Sequence, residues 1–243
     1  MSTKIVACLG SSSTAAKGSF NWIRALEQRP QNAAYRFYNF GVGGNLAFNG
    51  LQRLQDVINC HPDIVIVQLG GNDVLTSASK KLLKFLRLWN HIPRDPSPAW
   101  FRESMQAIVR RLKAETHARI ALCSLNVIGE DLKSTDQFQA EINRLVIEYN
   151  TIIEQIAKEE GVTYLPVYER MAELVKASPG KAFTAFNLLP FYVDTFEQYV
   201  LRMSLDEIGR RNGYKIHVDG IHLNSRGGGV IVEVAQEFLN GRS

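Results

Sequence analysis

The chain has 243 residues, of which 45% are hydrophobic and 21% charged, enough for one large α/β domain or two small ones. Its 28 basic and 24 acidic residues give a net charge of +4 without a long basic block, so we do not expect a nucleic-acid-binding protein. No uncharged stretch reaches about 18 residues, so we expect no membrane-spanning helix.

Five short β-rich runs alternate with helical patterns, which is typical of a parallel sheet covered by helices. No internal repeat interrupts this order, and we predict a single domain over residues 1–243. The predicted strands are Lys4–Leu9, Tyr35–Phe40, Ile64–Leu69, Arg119–Leu125 and Val162–Val167.

Three helices are predicted from apolar residues that recur every three or four positions. The first begins at Ser97-Pro98, the second runs from Ser134 to a stop at Gly161, and the last begins near Asn224 or Ser225. The residues expected to face inward are Phe101, Met105, Ile108 and Leu112 in the first, Phe138, Ile142, Leu145, Tyr149, Ile152 and Ile156 in the second, and Val230, Val234 and Phe238 in the last.

Two segments, at about 75–96 and 178–216, do not fit this alternation, and we expect both to cover one end of the sheet. The second is rich in aromatic residues and has helix starts at Asp194 and Ser204. The first contains a short basic helix, in which Lys80, Lys84 and Arg87 lie opposite Leu82, Phe85, Leu86 and Trp89. Contact of this helix with an anionic membrane is the less favoured interpretation, because a helix this short more often covers a core.

Small polar residues follow three of the predicted strands, in the runs Gly10–Thr14, Asn39–Asn45 and Gly70–Asp73. Ligands of open parallel sheets bind outside the carboxyl ends of the strands. These runs therefore offer a hydroxyl group, a glycine N–H and a side-chain amide to one crevice. We expect Asp73 to cap a helix and to take no part in catalysis.

Near the other end of the sequence, Asp219 precedes His222 by three residues, just before the last helix. Acyl transfer by a serine requires a base, a group that orients the base, and donors for the negative charge on the carbonyl oxygen. His222 is the candidate base and Asp219 its candidate partner. With the serines after the first strand, this pair predicts a serine hydrolase.

The three polar runs and the segment from Asp219 to His222 form four sequence blocks. In their order along the chain, these blocks resemble those of the SGNH or GDSL serine hydrolases over nearly the whole chain. Gly10-Ser11-Ser12 stands where that family has Gly-Asp-Ser, so the resemblance makes Ser12 the nucleophile and Ser11 a departure from the usual Asp. It also implies Asp219 and His222 as the rest of the triad. The oxyanion donors that it implies are the backbone N–H groups of Ser12 and Gly44 and the side chain of Asn72.

The resemblance implies a flavodoxin-like three-layer α/β/α sandwich and a metal-free, cofactor-free esterase or lipase. The apolar segments favour esters or lipids with short to medium acyl chains. A thioesterase and a carbohydrate O-acetylesterase use the same triad and stay as alternatives. A non-catalytic flavodoxin-like binding module is the alternative from another class. A zinc site at His217, Asp219 and His222 is disfavoured, because no motif supplies a further ligand.

The number and spacing of the cysteines indicate a reducing compartment. Cys8, Cys60 and Cys123 are odd in number and form no C-x-x-C pair, and two of them lie in apolar runs where a reduced buried thiol is usual. The chain also enters its first strand without the charged and apolar regions of a secretory signal. We expect a soluble cytoplasmic protein whose partner is a small-molecule or lipid ester.

Overall fold

The computed structural model describes residues 3–185 and 202–241. The strands are β1 (Lys4–Gly10), β2 (Tyr35–Gly41), β3 (Ile64–Gln68), β4 (Arg119–Cys123) and β5 (Thr163–Leu165). The helices are α1 (Ser12–Ala15), α2 (Trp22–Glu27), α3 (Ala47–Gln52), α4 (Leu54–Asn59), α5 (Gly71–Ala78), α6 (Lys80–Asn90), α7 (Pro98–Glu115), α8 (Gln137–Glu160), α9 (Val167–Ala177), α10 (Leu205–Asn212) and α11 (Ser225–Leu239).

The five strands form one parallel sheet in the order β2-β1-β3-β4-β5, which confirms the predicted α/β class. β1 therefore lies between β2 and β3, and the three strand ends with small polar residues are neighbours. This order places the loops after β1, β2 and β3 along a single edge of the sheet.

Alternate residues of each central strand point to opposite faces of the sheet, and both faces are buried. Ala7 and Leu9 of β1 belong to a core formed with α5, α6, α7 and α8. Val6 and Cys8 belong to a second core formed with α2, α9 and α11. The three-layer α/β/α sandwich is thus confirmed, with the sheet as its middle layer.

Three strands are shorter than the sequence indicated, and β3 differs least, since it ends at Gln68 and not at Leu69. β5 ends at Leu165 because Pro166 has no N–H to donate and Val167 already begins α9. β4 ends at Cys123, and the N–H of Leu125 donates instead to Asn150 Oδ1 at 2.7 Å. The apolar runs therefore mark the strands correctly but extend past their ends.

The predicted starts of α7 and α8 need one correction. Ser97 accepts a hydrogen bond from the N–H of Trp100 and begins α7 as expected. α8 begins after Asp136, whose Oδ1 accepts from the N–H groups of Phe138 and Gln139, so the prediction of Ser134 as its start was wrong. The side chain of Asp136 can accept from two N–H groups at once, and the N-terminus of a helix favours acidic residues.

The last helix, α11, begins as predicted, with Asn224 as its cap. Val234 and Phe238 are fully buried against the sheet. Val230 is only partly buried at the edge of the same core, so its predicted inward position is half correct. In the aromatic segment, Ser204 and Glu207 form the predicted capping box, whereas Asp194 lies outside the described residues.

Helix α6 differs most from its prediction. Leu82 and Leu86 are buried as expected, but Trp89 is 72% exposed, so its assignment to the buried face was wrong. Trp89 lies in the last turn, at the rim of an open pocket, where its ring centroid is 6.1 Å from that of Phe85. Across the described residues, none of the helices combines the length and the apolar character needed to cross a bilayer.

Candidate active site

A pocket of about 680 Å³ opens at the carboxyl ends of β1, β2 and β3. Every residue that the sequence singled out for the site lines it: Ser12, Gly44, Asn72, Asp219 and His222. The two extremities of the chain meet here through Leu223, whose carbonyl oxygen accepts from the N–H of Phe20 at 2.8 Å. The N–H of Leu223 donates to Ser19 Oγ at 3.1 Å.

The three adjacent serines after β1 occupy different surroundings. Ser12 is the first residue of α1 and lines the large pocket together with His222. Ser11 and Ser13 line only a smaller neighbouring cavity, which Ser12 lines as well and where Ser13 Oγ accepts from Asn126 Nδ2 at 3.3 Å. Only Ser12 of the three lines the pocket that holds the imidazole, in agreement with its register against Gly10.

Asp219 and His222 form a hydrogen-bonded pair in the loop before α11. His222 Nδ1 lies 2.7 Å from Asp219 Oδ2, and both side chains are largely buried. The other oxygen of the carboxylate accepts from the N–H groups of Ile221 at 2.9 Å and His222 at 2.7 Å. These bonds hold the loop closed on itself and fix the orientation of the imidazole ring.

The surroundings of Asp219 favour its ionised form. Burial alone would raise its pKa, but the electrostatic attraction of His222 and the hydrogen bonds from His222 and Ile221 outweigh burial and lower the pKa to about 2. A carboxylate only accepts, so His222 Nδ1 carries a proton and Nε2 is the ring nitrogen suited to act as a base.

Gly44 occupies a turn after β2 that requires glycine. Its φ angle is +75°, and a Cβ atom there would lie 2.9 Å from Asn90 Nδ2 and 3.0 Å from Leu86 Cδ2. Its carbonyl oxygen accepts from Asn90 Nδ2 at 2.8 Å. This bond ties the turn with Gly44 to the last residue of α6, at the wall of the pocket.

Asn72 lies in the first turn of α5 and lines the same pocket. Its Nδ2 donates to the carbonyl oxygen of Asn45 at 2.9 Å. An amide nitrogen carries two hydrogens, so this bond uses one of them and sets the direction of the other. The bond also ties the loop after β3 to the loop that carries Gly44.

Asp73, directly after Asn72, is buried and does not line the pocket. Its carboxylate accepts from the N–H of Ala47 at 3.0 Å, at the first residue of α3. It therefore supports a helix start, although on another helix than its own. Burial raises the pKa of Asp73 to about 7, against the effect of the hydrogen bonds from the backbone of Ala47 and Asp73.

Arg53 organises the strand ends, and the sequence analysis did not identify it. Its two terminal nitrogens donate to the carbonyl oxygens of Phe40 and Gly10, both at 2.8 Å, and its Nε donates to Asn45 Oδ1 at 2.7 Å. One guanidinium group thus joins the loops after β1 and β2. No motif marks such a residue, because its partners are mostly backbone atoms.

Glu130 and His217 form a second buried pair that the sequence analysis also missed. Glu130 accepts from the backbone N–H groups of Lys215, Ile216 and His217 and lies 3.0 Å from His217 Nδ1. His217 Nε2 lies 2.9 Å from the carbonyl oxygen of Val127. Burial acts to raise the pKa of Glu130, but the bonds from His217 and the backbone N–H groups prevail and lower it.

The environment of His217 bears on the disfavoured zinc interpretation. Both of its ring nitrogens face protein acceptors, and it does not line the pocket with Asp219 and His222. Within residues 3–185 and 202–241, no group of three or more His, Cys, Asp or Glu side chains is placed to hold a metal ion. The contacts of the His217 ring therefore indicate a structural role for this residue.

The remaining walls of the pocket are mostly apolar. On one side they come from α5 and α6, and on the other from residues near the start and end of the aromatic segment. Among the described residues, the larger apolar and aromatic side chains of the wall are Leu75, Leu82, Phe85, Leu86, Trp89, Phe183, Tyr214 and Ile221. Such a surface fits an acyl chain better than a bare sugar.

Comparison with known proteins adds a family and several related folds. The profile described as GDSL-like Lipase/Acylhydrolase family matches residues 8–228. No protein in a search of the curated sequences matches the chain.

Solved structures with the same fold include several esterases. The acetyl xylan esterase AlAXEase is 19% identical, with 97% of this chain and 99% of that chain covered and a TM-score of 0.64. The acetylxylan esterase Axe2 from Geobacillus stearothermophilus is 17% identical, with 100% and 95% covered and a TM-score of 0.66. LAE5, an alpha/beta hydrolase enzyme from the metagenome of Lake Arreo, Spain, is 16% identical, with 100% and 97% covered and a TM-score of 0.66.

Proposed function

Because this chain belongs to the GDSL-like lipase/acylhydrolase family and is a carboxylic ester hydrolase, we propose that Ser12, His222 and Asp219 are its catalytic triad. The observation that carries the proposal is the Asp219–His222 hydrogen bond of 2.7 Å, in a pocket that Ser12 lines and its two neighbouring serines do not. Because the family consists of lipases and acylhydrolases, a hydrolase is a better interpretation than a non-catalytic binding module.

The mechanism follows from the hydrogen-bond donors and acceptors at the site. Ser12 Oγ attacks the ester carbonyl carbon while His222 Nε2 takes its proton, and Asp219 stabilises the resulting imidazolium. The alcohol leaves with that proton, and an acyl group remains on Ser12. A water molecule then attacks the acyl carbonyl, again with His222 as base, and releases the carboxylic acid.

The negative charge on the carbonyl oxygen needs donors that are already in place. We assign this role to the backbone N–H groups of Ser12 and Gly44 and to Asn72 Nδ2. The bonds from Asn90 to the carbonyl oxygen of Gly44 and from Asn72 to Asn45 support the assignment of Gly44 and Asn72, because they hold these two residues in place before a substrate arrives. Fixed donors cost no reorganisation in the transition state.

The triad is tested by single substitutions of the three serines. We expect Ser12→Ala to lower kcat for p-nitrophenyl esters by about 10⁴-fold or more, because the covalent route is lost. Ser11→Ala and Ser13→Ala serve as matched controls and should retain most of the turnover. Labelling with a fluorophosphonate, followed by mass spectrometry of the peptides, identifies the modified serine. A label on Ser11 or Ser13 would refute the assignment.

For the substrate, we propose esters with short to medium acyl chains, including lipid esters, and the apolar walls formed by Leu82, Phe85 and Phe183 support this. Carbohydrate O-acetyl esters are the second candidate, favoured by the acetylxylan esterases among the structures with this fold. Thioesters are hydrolysed by the same triad chemistry and are the third class to compare.

A series of p-nitrophenyl esters from acetate upward, together with acyl-CoA thioesters, separates these classes. We expect kcat/KM to rise from acetate to a medium chain, because each additional buried CH₂ contributes about 0.8 kcal/mol of transfer free energy. A sharp optimum at acetate would instead favour the O-acetylesterase. Faster turnover of acyl-CoA than of the matched ester would favour the thioesterase.

A further inference from the structure

Exposed hydrophobic side chains concentrate at the mouth of the active-site pocket. Among the described residues, four large hydrophobic side chains are exposed: Val42 at 42%, Leu88 at 77%, Trp89 at 72% and Ile147 at 54%. Leu88 and Trp89 lie on α6, where Trp89 also lines the pocket, and Val42 begins the turn that leads to Gly44. Single exposed hydrophobic residues are ordinary, but a cluster beside a binding site indicates an interaction surface.

The same helix carries a concentrated positive charge. Lys80, Lys81, Lys84 and Arg87 are all exposed, and α6 contains no acidic residue. Arg87 pairs with Asp95 at 2.5 Å, so the three lysines supply most of the charge of this face. Positive charge of this density attracts anionic partners.

Helical geometry mixes the two kinds of side chain on one face. Lys81, Lys84 and Leu88 follow one another at spacings of three and four residues, so their side chains are neighbours on the outer side of α6. Trp89 extends this face to the rim of the pocket, which it lines. A partner of α6 must therefore satisfy lysines and accept exposed apolar side chains together.

We propose that the outer face of α6 binds the enzyme to an anionic lipid surface. In this arrangement the lysines lie against lipid phosphates and carboxylates, while Leu88 and Trp89 enter the boundary between headgroups and acyl chains. Tryptophan and lysine are the residues typical of that boundary. The inference rests on the proposed hydrolysis of lipid esters for its purpose, since docking would bring the pocket mouth to the surface from which such substrates come.

Two other partners fit the face less well. A nucleic acid would satisfy the lysines but would leave Leu88 and Trp89 without an apolar partner. A second copy of the chain would bury the apolar residues, but a symmetric contact would bring the same three lysines of each copy together. An anionic lipid layer provides both the charge and the apolar interior.

The test is co-sedimentation of the full-length protein with vesicles of equimolar phosphatidylcholine and phosphatidylglycerol, compared with phosphatidylcholine alone. We expect binding only to the anionic vesicles, and weaker binding as salt screens the charges. Replacing Lys80, Lys81 and Lys84 by Gln should lower the partition coefficient about 100-fold. Leu88→Ser should lower it about tenfold.

Matched controls make the result specific to α6. Lys133, Lys158 and Lys176 are exposed lysines outside α6, and their replacement by Gln removes the same charge. Ile147→Ser removes an exposed hydrophobic residue of α8 instead of one on α6. Both control variants should bind the vesicles as the unchanged protein does.

Three outcomes would overturn the proposal. They are equal binding to neutral vesicles, equal weakening by the control variants, and a dimer in sedimentation velocity that Leu88→Ser dissociates. Turnover of a soluble p-nitrophenyl ester by the same preparations shows whether the active site is intact. Because sedimentation needs no turnover, failure of the docking proposal and failure of the triad proposal are distinguishable.

Discussion

Two adjacent residues after β3 have different tasks. Asn72 faces the pocket and orients its amide through Asn45, whereas Asp73 is buried behind it and supports the start of α3. The carboxylate of Asp73 has lost most of its contact with water, and its raised pKa of about 7 is the consequence. Asp73 therefore supports the start of α3 and also titrates close to neutral pH.

We expect the charge of Asp73 to make stability depend on pH. The pKa of Asp73 is higher in the folded protein than in an unfolded chain, so its contribution to stability is complete below pH 4 and is lost as the pH rises through 7. Between pH 4 and pH 8, Asp73 lowers the free energy of unfolding by at most about 4 kcal/mol. Asp73→Asn should remove this pH dependence. Urea unfolding of both proteins at several pH values measures it.

Turnover provides the control for this prediction. Asparagine still offers an oxygen to the N–H of Ala47, and Asp73 lies outside the pocket, so kcat should change little. A loss of kcat as large as that expected for Ser12→Ala would place Asp73 in catalysis and contradict our interpretation.

The loop that carries Asp219 and His222 is fixed by elements far from it in sequence. Glu130, between β4 and α8, accepts from three consecutive N–H groups at residues 215–217. Its neighbour Gly129 donates to the carbonyl oxygen of Gly220 at 2.7 Å, between the two members of the pair. The connection from β4 to α8 therefore positions the base although it does not touch the substrate pocket.

We expect Glu130→Gln to reduce both stability and turnover. The amide replaces Oε2 by a donor that faces the N–H of Lys215, and the negative charge beside His217 is lost, although Oε1 still accepts from His217 Nδ1. Removing the charge and leaving a buried donor without an acceptor costs about 3 kcal/mol of unfolding free energy. At temperatures where the variant stays folded, kcat should fall while KM changes little, because the base moves and the acyl pocket does not.

Glu141→Gln is the matched control for this experiment. Glu141 is exposed on α8 and pairs with Arg144 at 2.8 Å, a surface pair that contributes less than about 1 kcal/mol. Equal losses of stability and kcat in the two variants would show that Glu130 has no special role in positioning His222.

Close packing explains two of the three glycines at the start of α11, Gly227 and Gly228, whereas a Cβ atom on Gly229 would meet nothing within 4 Å. A Cβ atom on Gly228 would lie 2.2 Å from Cδ1 of Phe20, the residue whose N–H binds Leu223. Gly227 approaches the backbone of Ile216, with only 2.3 Å between a Cβ atom there and the carbonyl oxygen. These contacts bring α11 against the chain directly beneath the loop with His222.

At the scale of the whole molecule, the fold was largely predictable because a parallel sheet imposes simple rules. Apolar runs identified all five strands, and small polar residues after three of them indicated which strand ends form the site. The order of the strands then places those ends side by side. The cytoplasmic location and the single domain stay predictions.

What the sequence did not predict depends on contacts that only the folded chain creates. Arg53 and Glu130 bind mainly backbone atoms, which leave no pattern of side chains to recognise. Trp89 has the helical period of a buried residue, but the period cannot tell that its side of α6 borders an open pocket. Periodicity predicts the direction in which a side chain leaves the helix axis. It does not predict whether protein or an open pocket lies in that direction.

The hydrogen bonds between Leu223 and residues 19 and 20 have a consequence for biosynthesis. Ser12, the proposed nucleophile, is translated long before His222, the proposed base. Until the segment with His222 has emerged and made these bonds, the hydroxyl group lacks the imidazole that would activate it. We therefore expect the nascent polypeptide to carry out no acyl transfer during that interval.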